Sequence, residues 1–250
     1  MAMRATQWEF RHRTWLIFGI FCVGLACYGF DPHNSGQVVA SWLRAHVAFL
    51  RAHSQQSSVR GIFLLGALVV GIGAMIRTWG AAYLRAEVQQ DSKLRTERLV
   101  ADGPFRYTRN PLYLGILIGV LGAGVLCSPA GWALQMALSV VFVYRLILRE
   151  EGELLTTQSE SFRAYCRVVP RLLPAIKPRV PVSGARPHWR EAFAVQAPWW
   201  GIAAANVTWA ITLRPSLAFA MAGAGFVFHV GQKYVLKVYA RSVATAKGTR

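Results

Sequence analysis

The sequence predicts an all-α fold, a polytopic membrane helical bundle of about six transmembrane helices with N and C termini cytoplasmic. Three observations predict it. The chain is 54% hydrophobic but only 16% charged, whereas a soluble domain carries about a quarter charged residues. Its apolar residues gather into six runs, roughly 14–30, 61–79, 111–128, 132–148, 199–213 and 215–232. Lys and Arg are distributed unevenly between those runs. Segments 1–13, 77–110, 149–198 and 233–250 carry three, seven, eight and five of them, 23 of the 28 in the chain, against four in the alternate connections. Basic residues collect on the cytoplasmic face of membrane proteins, so this asymmetry sets the orientation.

Each element has a local reason. The first run follows Arg4, Arg11 and Arg13 and has the outline of a signal peptide, but no small-x-small cleavage site follows; it reads as an uncleaved first span. Residues 37–51 intersperse Val39, Trp42, Leu43, Val47, Phe49 and Leu50 with Arg44, His46 and Arg51, the pattern of an interfacial amphipathic or re-entrant segment. Ser54 to Ser58 is an exposed loop. Each longer run approaches the about 20 residues a helix needs to cross a ~30 Å hydrocarbon core; the fifth is short. Backbone groups in lipid must bond internally, which demands helices here. Pro174, Pro178, Pro181 and Pro187, with Gly184, mark a breaker-rich linker before the last two spans.

Composition also excludes. The net charge of +17 sits in blocks between apolar runs, which fits anchoring to anionic lipid and not a nucleic-acid-binding patch, so no nucleic-acid partner is expected. Cys22, Cys27, Cys127 and Cys166 include no Cys-x-x-Cys pair and no Cys/His ligand spacing. No metal site is expected. Gly119 to Gly124 superficially matches a dinucleotide loop, but it lies inside an apolar span with no strand before it.

The chemistry concentrates at two clusters. Arg106-Tyr107-Thr108-Arg109-Asn110-Pro111-Leu112-Tyr113-Leu114-Gly115 opens the third run. Asn110 followed by Pro111 is a helix start signal, Asn as N-cap and Pro at the first helical position. That start also presents N–H groups suited to an anion. The second cluster, Arg145, Arg149, Glu150 and Glu151, closes the fourth run. Acids at a helix C-terminus oppose the helix dipole, and charges near a lipid boundary are characteristically paired or functional. The two clusters flank one helical hairpin on the same side of the membrane. Gly115 and Gly119 form a small-xxx-small pair suited to close helix packing.

Taken in order, Gly103-Pro104-Phe105, Arg109-Asn110-Pro111-Leu112-Tyr113-Leu114-Gly115, Glu150-Glu151-Gly152-Glu153-Leu154, Phe162-Arg163-Ala164-Tyr165 and Val169-Pro170-Arg171-Leu172-Leu173-Pro174 resemble the signature of integral-membrane methyltransferases of the isoprenylcysteine carboxyl methyltransferase and phospholipid methyltransferase type. The resemblance covers about residues 61–175. With the apolar runs on either side, the chain divides into an N-terminal span with interfacial segment (1–60), a methyltransferase-like membrane core (61–178) and a linker with a two-span extension (179–250).

The resemblance implies an S-adenosylmethionine site on the cytoplasmic side, opening to the bilayer between helices. Arg109, Asn110, Pro111, Tyr113 and Gly115 would then form the cofactor pocket. Glu150 and Glu151 would contact the cofactor's polar groups, and Arg145 or Arg149 would help hold acceptor or cofactor. Two positions depart from the family: Asn110 stands where it has His, and Ser159 where it has Gly. Asn cannot titrate near neutrality, although its amide still donates and accepts. The implied reaction is methyl transfer to a lipid or lipid-like hydrophobic small molecule. An NADPH-dependent membrane reductase of sterol-reductase-like type and a non-catalytic membrane scaffold are the alternatives.

Overall fold

The computed structural model describes residues 3–84 and 101–248. Residues 85–100, the centre of the basic segment 77–110, therefore lie outside the described residues. Every regular element among the described residues is helical, as the runs predict. The N-terminus carries a short helix α1 (Gln7–Arg11), started by a capping box in which the Thr6 side chain and Glu9 bond each other's backbone N–H. The first apolar run becomes α2 (Arg13–Ala26). The amphipathic segment becomes α3 (Ser35–His46), capped by Asn34, and a single turn α4 (Ala48–Arg51).

The apolar runs extend further as helices than hydropathy alone indicates. Run 61–79 is the centre of α5 (Gln55–Tyr83), because Ser54, expected in a loop, is an N-cap accepting from the Ser57 N–H. Run 111–128 is α6 (Pro111–Ala123) followed by a 3-10 turn, Gly124–Leu126. Run 132–148 lies within α7 (Pro129–Thr157), capped by Ser128 with Pro129 at its first position. Then come α8 (Ser159–Val168), α9 (Trp189–Val195), α10 (Ala197–Thr212) and α11 (Pro215–Gly248). Helices α5 and α7, 29 residues each, are long and apolar enough to cross a membrane. Arg13–Gly29 and Pro111–Leu126 are shorter apolar helices.

Packing follows from small residues. Helices α5 and α6 touch backbone to backbone, with a Cβ on Gly73 falling 2.7 Å from the Gly115 carbonyl oxygen and 2.7 Å from the Gly119 nitrogen. The pair Gly115 and Gly119 thus does pack closely, as its spacing predicts. The Gly115 face meets α5, while a Cβ on Gly119 would strike the Trp199 ring of α10. Helix α10 lies between α5 and α11, and α2 packs on α7 where Gly24 meets Gly131. The largest apolar cluster joins Phe10, Tyr113, Ile116, Val120, Phe142, Leu146, Ile147 and Trp199. It therefore ties α1, α6, α7 and α10 together around one end of the bundle.

At that end the Pro-rich segment is not a free linker. Residues 169–188 are bonded along their length to 102–109 and to the end of α5. Arg109 N–H reaches the Pro170 carbonyl, Ala175 N–H the Tyr107 carbonyl, Arg179 N–H the Arg106 carbonyl, and His188 N–H the Ala82 carbonyl. Tyr165 anchors the same region by donating to the Phe105 carbonyl at 2.6 Å. Gly103 permits the turn that receives the strap. Its φ is +59°, and a Cβ there would overlap the Tyr83 ring, so only glycine fits.

Candidate functional site

A cavity of about 1190 Å³ opens at this end. Its polar part is bounded by the start of α6, the end of α7 and the strap 183–188, with Arg13, Arg77, Arg109, Asn110, Tyr113 and Glu150 among its walls. Its apolar part runs between α2, α10 and α11, past Phe21, Trp199, Phe219 and Phe226. Single small-molecule pockets span roughly 300–1,000 Å³, so this one has room for two reactants.

The hairpin brings the two sequence clusters together. The Tyr113 hydroxyl donates to Glu150 Oε1 at 2.6 Å across α6 and α7. Both residues line the cavity. Tyr113 stands two residues beyond the Pro111 helix start and is buried, so the helix N-terminus fixes its height.

Glu151, its neighbour, faces elsewhere, because successive helical residues project about 100° apart. Glu151 does not line the cavity. Its Oε1 accepts from Asn110 Nδ2 at 3.2 Å and faces Arg109 Nη1 at 3.4 Å. Its Oε2 takes both Nε and Nη2 of Arg171 at 2.9 Å. Asn110 accordingly does not use its side chain as a helix cap. Its amide bonds Glu151 and, at 2.9 Å, the Arg171 carbonyl, while Pro111 does occupy the first helical position. Arg109 also donates to Cys166 Sγ at 2.7 Å, and its Nε is buried with no hydrogen-bond partner.

The remaining predicted positions lie off the cavity wall. Arg145 pairs with Glu9 of α1 at 2.8 Å. That contact, with the Thr6 N–H, holds the Glu9 carboxyl below its ordinary value. Arg149 bonds the Ala5 carbonyl, Gln7 and Glu153. Both arginines thus fasten the N-terminal segment to α7. The physical reason is their face: Arg145 and Arg149 are one turn apart, on the side of α7 that α1 covers. Gly115 belongs to the crossing with α5.

Sequence reasoning passed over three residues. Arg13 and Arg77 entered only as charges that set orientation, yet both line the cavity. A lone Arg inside an apolar run was the available signal for Arg77. Arg171 stood in the Val-Pro-Arg run without a role, and its partner Glu151 is visible only in three dimensions.

The strap has its own anchor. Buried Asp102 accepts from the backbone N–H groups of Ser183 and Ala185, each at 2.8 Å, and from the Ser183 hydroxyl at 2.7 Å. Burial by itself raises this carboxyl, but these bonds and nearby Arg106 outweigh it and hold it below its ordinary 3.8. A carboxyl lowered in the folded state adds stability that is complete above the unfolded value and is lost as pH falls through the folded one. Thermal unfolding of the detergent-solubilised protein should therefore show a stability loss below about pH 4 that is smaller in Asp102→Asn. An identical pH profile in the variant would remove this anchor from the account.

Residues 62–158 match the family model for phospholipid methyltransferase. The chain is also similar to two curated proteins. It is 28% identical over 141 residues to the cobalt-zinc-cadmium resistance protein CzcN of Cupriavidus metallidurans, covering 56% of this chain and 62% of that protein. It is 27% identical over 133 residues to the nickel-cobalt-cadmium resistance protein NccN of Alcaligenes xylosoxydans xylosoxydans, covering 52% and 59% respectively. The chain thus spans about three-fifths of the length of these relatives. No solved structure matches it.

Proposed function

We propose that the protein transfers a methyl group from S-adenosylmethionine to a membrane-embedded hydrophobic acceptor, within a six-span bundle whose polar cavity end faces the cytoplasm. The observation that carries this reading is the Tyr113–Glu150 hydrogen bond, in the wall of a cavity that has both a polar and an apolar part. The phospholipid methyltransferase segment supports it.

The residues present suit the cofactor. Glu150 offers a carboxylate to ammonium or hydroxyl donors, and Arg109 lines the same cavity. Phe105, Phe162 and Tyr165 also line the cavity, and aromatic rings suit a base. When bound, S-adenosylmethionine supplies an electrophilic methyl group on a sulfonium. What the chain contributes is alignment and exclusion of water, which account for much of such a rate enhancement. Tyr113 fixes the Glu150 carboxylate in one position. Apolar side chains of α2, α10 and α11 keep the far part of the cavity dry. An acceptor that arrives anionic needs no base, and an amine or thiol acceptor would give its proton to Glu150.

Incubation of membranes holding the protein with radiolabelled S-adenosylmethionine should yield a labelled, organic-extractable product. No label above that of the empty membranes, together with thermal stabilisation by NADPH and none by S-adenosylhomocysteine, would replace this reading with the reductase one. The names of the two relatives favour an addition to this reading, in which the methylated product serves tolerance of divalent metals.

A further inference from the structure

We infer that Arg77 is the anion receptor of this cavity, binding the carboxylate or phosphate of a ligand that enters it; the identity of that ligand as a reactant rests on the methyl-transfer reading. Arg77 lies in α5, just beyond the apolar stretch from Gly61 to Met75. Arg77 lines the cavity, and its guanidinium packs 5.1 Å from the Trp199 ring.

Its bonding sets it apart from four other arginines of this end. Arg109, Arg145, Arg149 and Arg171 each face a carboxylate at 3.4 Å or less. Arg77 donates Nε to Gln196 Oε1 at 2.8 Å and Nη1 to the Leu112 carbonyl at 2.7 Å. Both acceptors are neutral, and no ion pair among the described residues includes Arg77. These two bonds fix the plane of the guanidinium and leave Nη2, which bonds no described residue, as the open donor of a residue that lines the cavity. A cation enclosed by protein is stabilised by a carboxylate or phosphate within bonding reach, and a planar guanidinium suits both oxyanions.

The support around Arg77 is specific to that task. Gln196 is buried at 1% exposure at the junction of α9 and α10, so the acceptor that orients Nε cannot swing away. A Cβ on Gly115 would strike the Arg77 side chain. The glycine of the motif therefore clears the path along which Arg77 reaches the cavity. The same cavity is lined by Glu150, an anion, which suits a ligand or ligand pair presenting both signs of charge.

Two sources can supply the oxyanion: the amino-acid carboxylate of the cofactor, or an anionic head on the lipid acceptor. Calorimetry on the full chain in nonionic detergent separates them with four probes: S-adenosylhomocysteine, its methyl ester, oleate and oleyl alcohol. For the wild type we expect at least about tenfold tighter binding of one acid than of its uncharged counterpart, the gain of one charge-assisted pair. A preference confined to S-adenosylhomocysteine over its ester assigns the oxyanion to the cofactor. A preference confined to oleate over the alcohol assigns it to the acceptor. In either case Arg77→Met should reduce that ratio to about twofold or less, with Arg77→Lys between. Because the head-group comparison uses the wild type, it stands even if Arg77→Met does not fold. Wild-type ratios near one for both pairs, or ratios unchanged in a folded Arg77→Met, overturn the inference. Oleate preference without any binding of S-adenosylhomocysteine would sink the methyl-donor reading and leave the receptor intact.

Discussion

Glu150→Gln should lower the affinity for S-adenosylhomocysteine about 10- to 150-fold, the value of a hydrogen bond to a charged group of about 1.5–3 kcal/mol, without destabilising the protein. The substitution keeps an oxygen to accept from the Tyr113 hydroxyl, now bonded to Glu150 Oε1 at 2.6 Å. It removes a charge from a cavity wall of low dielectric, where a carboxylate costs free energy when the ligand is away. The thermal midpoint should accordingly hold or rise, the sign expected of a residue kept for function against stability. Tyr113→Phe should have a smaller effect, several-fold on affinity, because it deletes a positioning bond and not the carboxylate itself. Calorimetry and thermal unfolding on the same samples check both quantities. A midpoint that falls in step with affinity would make Glu150 a structural residue. Affinity unchanged in both variants would take the pair out of the site.

Much of this arrangement was legible in the chain. The order of basic segments and apolar runs located the helices, and the Asn110-Pro111 signal located the start of α6, because Pro at a first helical position has one physical meaning. The spacing of the two charged clusters across a hairpin correctly brought Tyr113 and Glu150 together. What the sequence left hidden were pairings made at long range. Glu150 and Glu151 read alike as adjacent acids. Helical geometry alone requires that they face different neighbours, and only the fold shows that Glu151 meets Arg171, twenty residues on. Arg145 and Arg149 read as site residues by proximity to those acids. Their partners, Glu9 and Ala5, lie at the far N-terminus, where no local pattern pointed. The prolines at 174–187 correctly marked a break in helix. Proline spacing carries no information on what a non-helical segment bonds to, so the strap over 102–109 was invisible.

That strap makes Glu151 the position with the largest expected effect on stability. Glu151→Ala should destabilise the protein by about 3–5 kcal/mol, the cost of leaving the partners of a buried ion pair without their acceptor. Three residues lose it together, through Asn110 Nδ2, Arg109 Nη1 and the two nitrogens of Arg171. Arg109, with a side chain 12% exposed, has little access to water in compensation, whereas Arg171 at 38% does. The effect should therefore be asymmetric. Arg171→Ala should cost only about 1 kcal/mol, close to the range of a solvent-exposed pair, because Arg109 and Asn110 still satisfy Glu151. Glu151→Gln, which keeps one acceptor but no charge, should fall between the two. Thermal unfolding in detergent orders the three variants, and limited proteolysis between residues 169 and 188 reports whether the strap has detached. Its release would also remove Ser183 to His188 from the cavity wall, so Glu151→Ala should lose ligand binding at a temperature where Glu150→Gln is still folded, and regain it on cooling. Equal costs for Glu151→Ala and Arg171→Ala, with no new cleavage in the strap, would show that Glu151 does not hold the two halves of this end together.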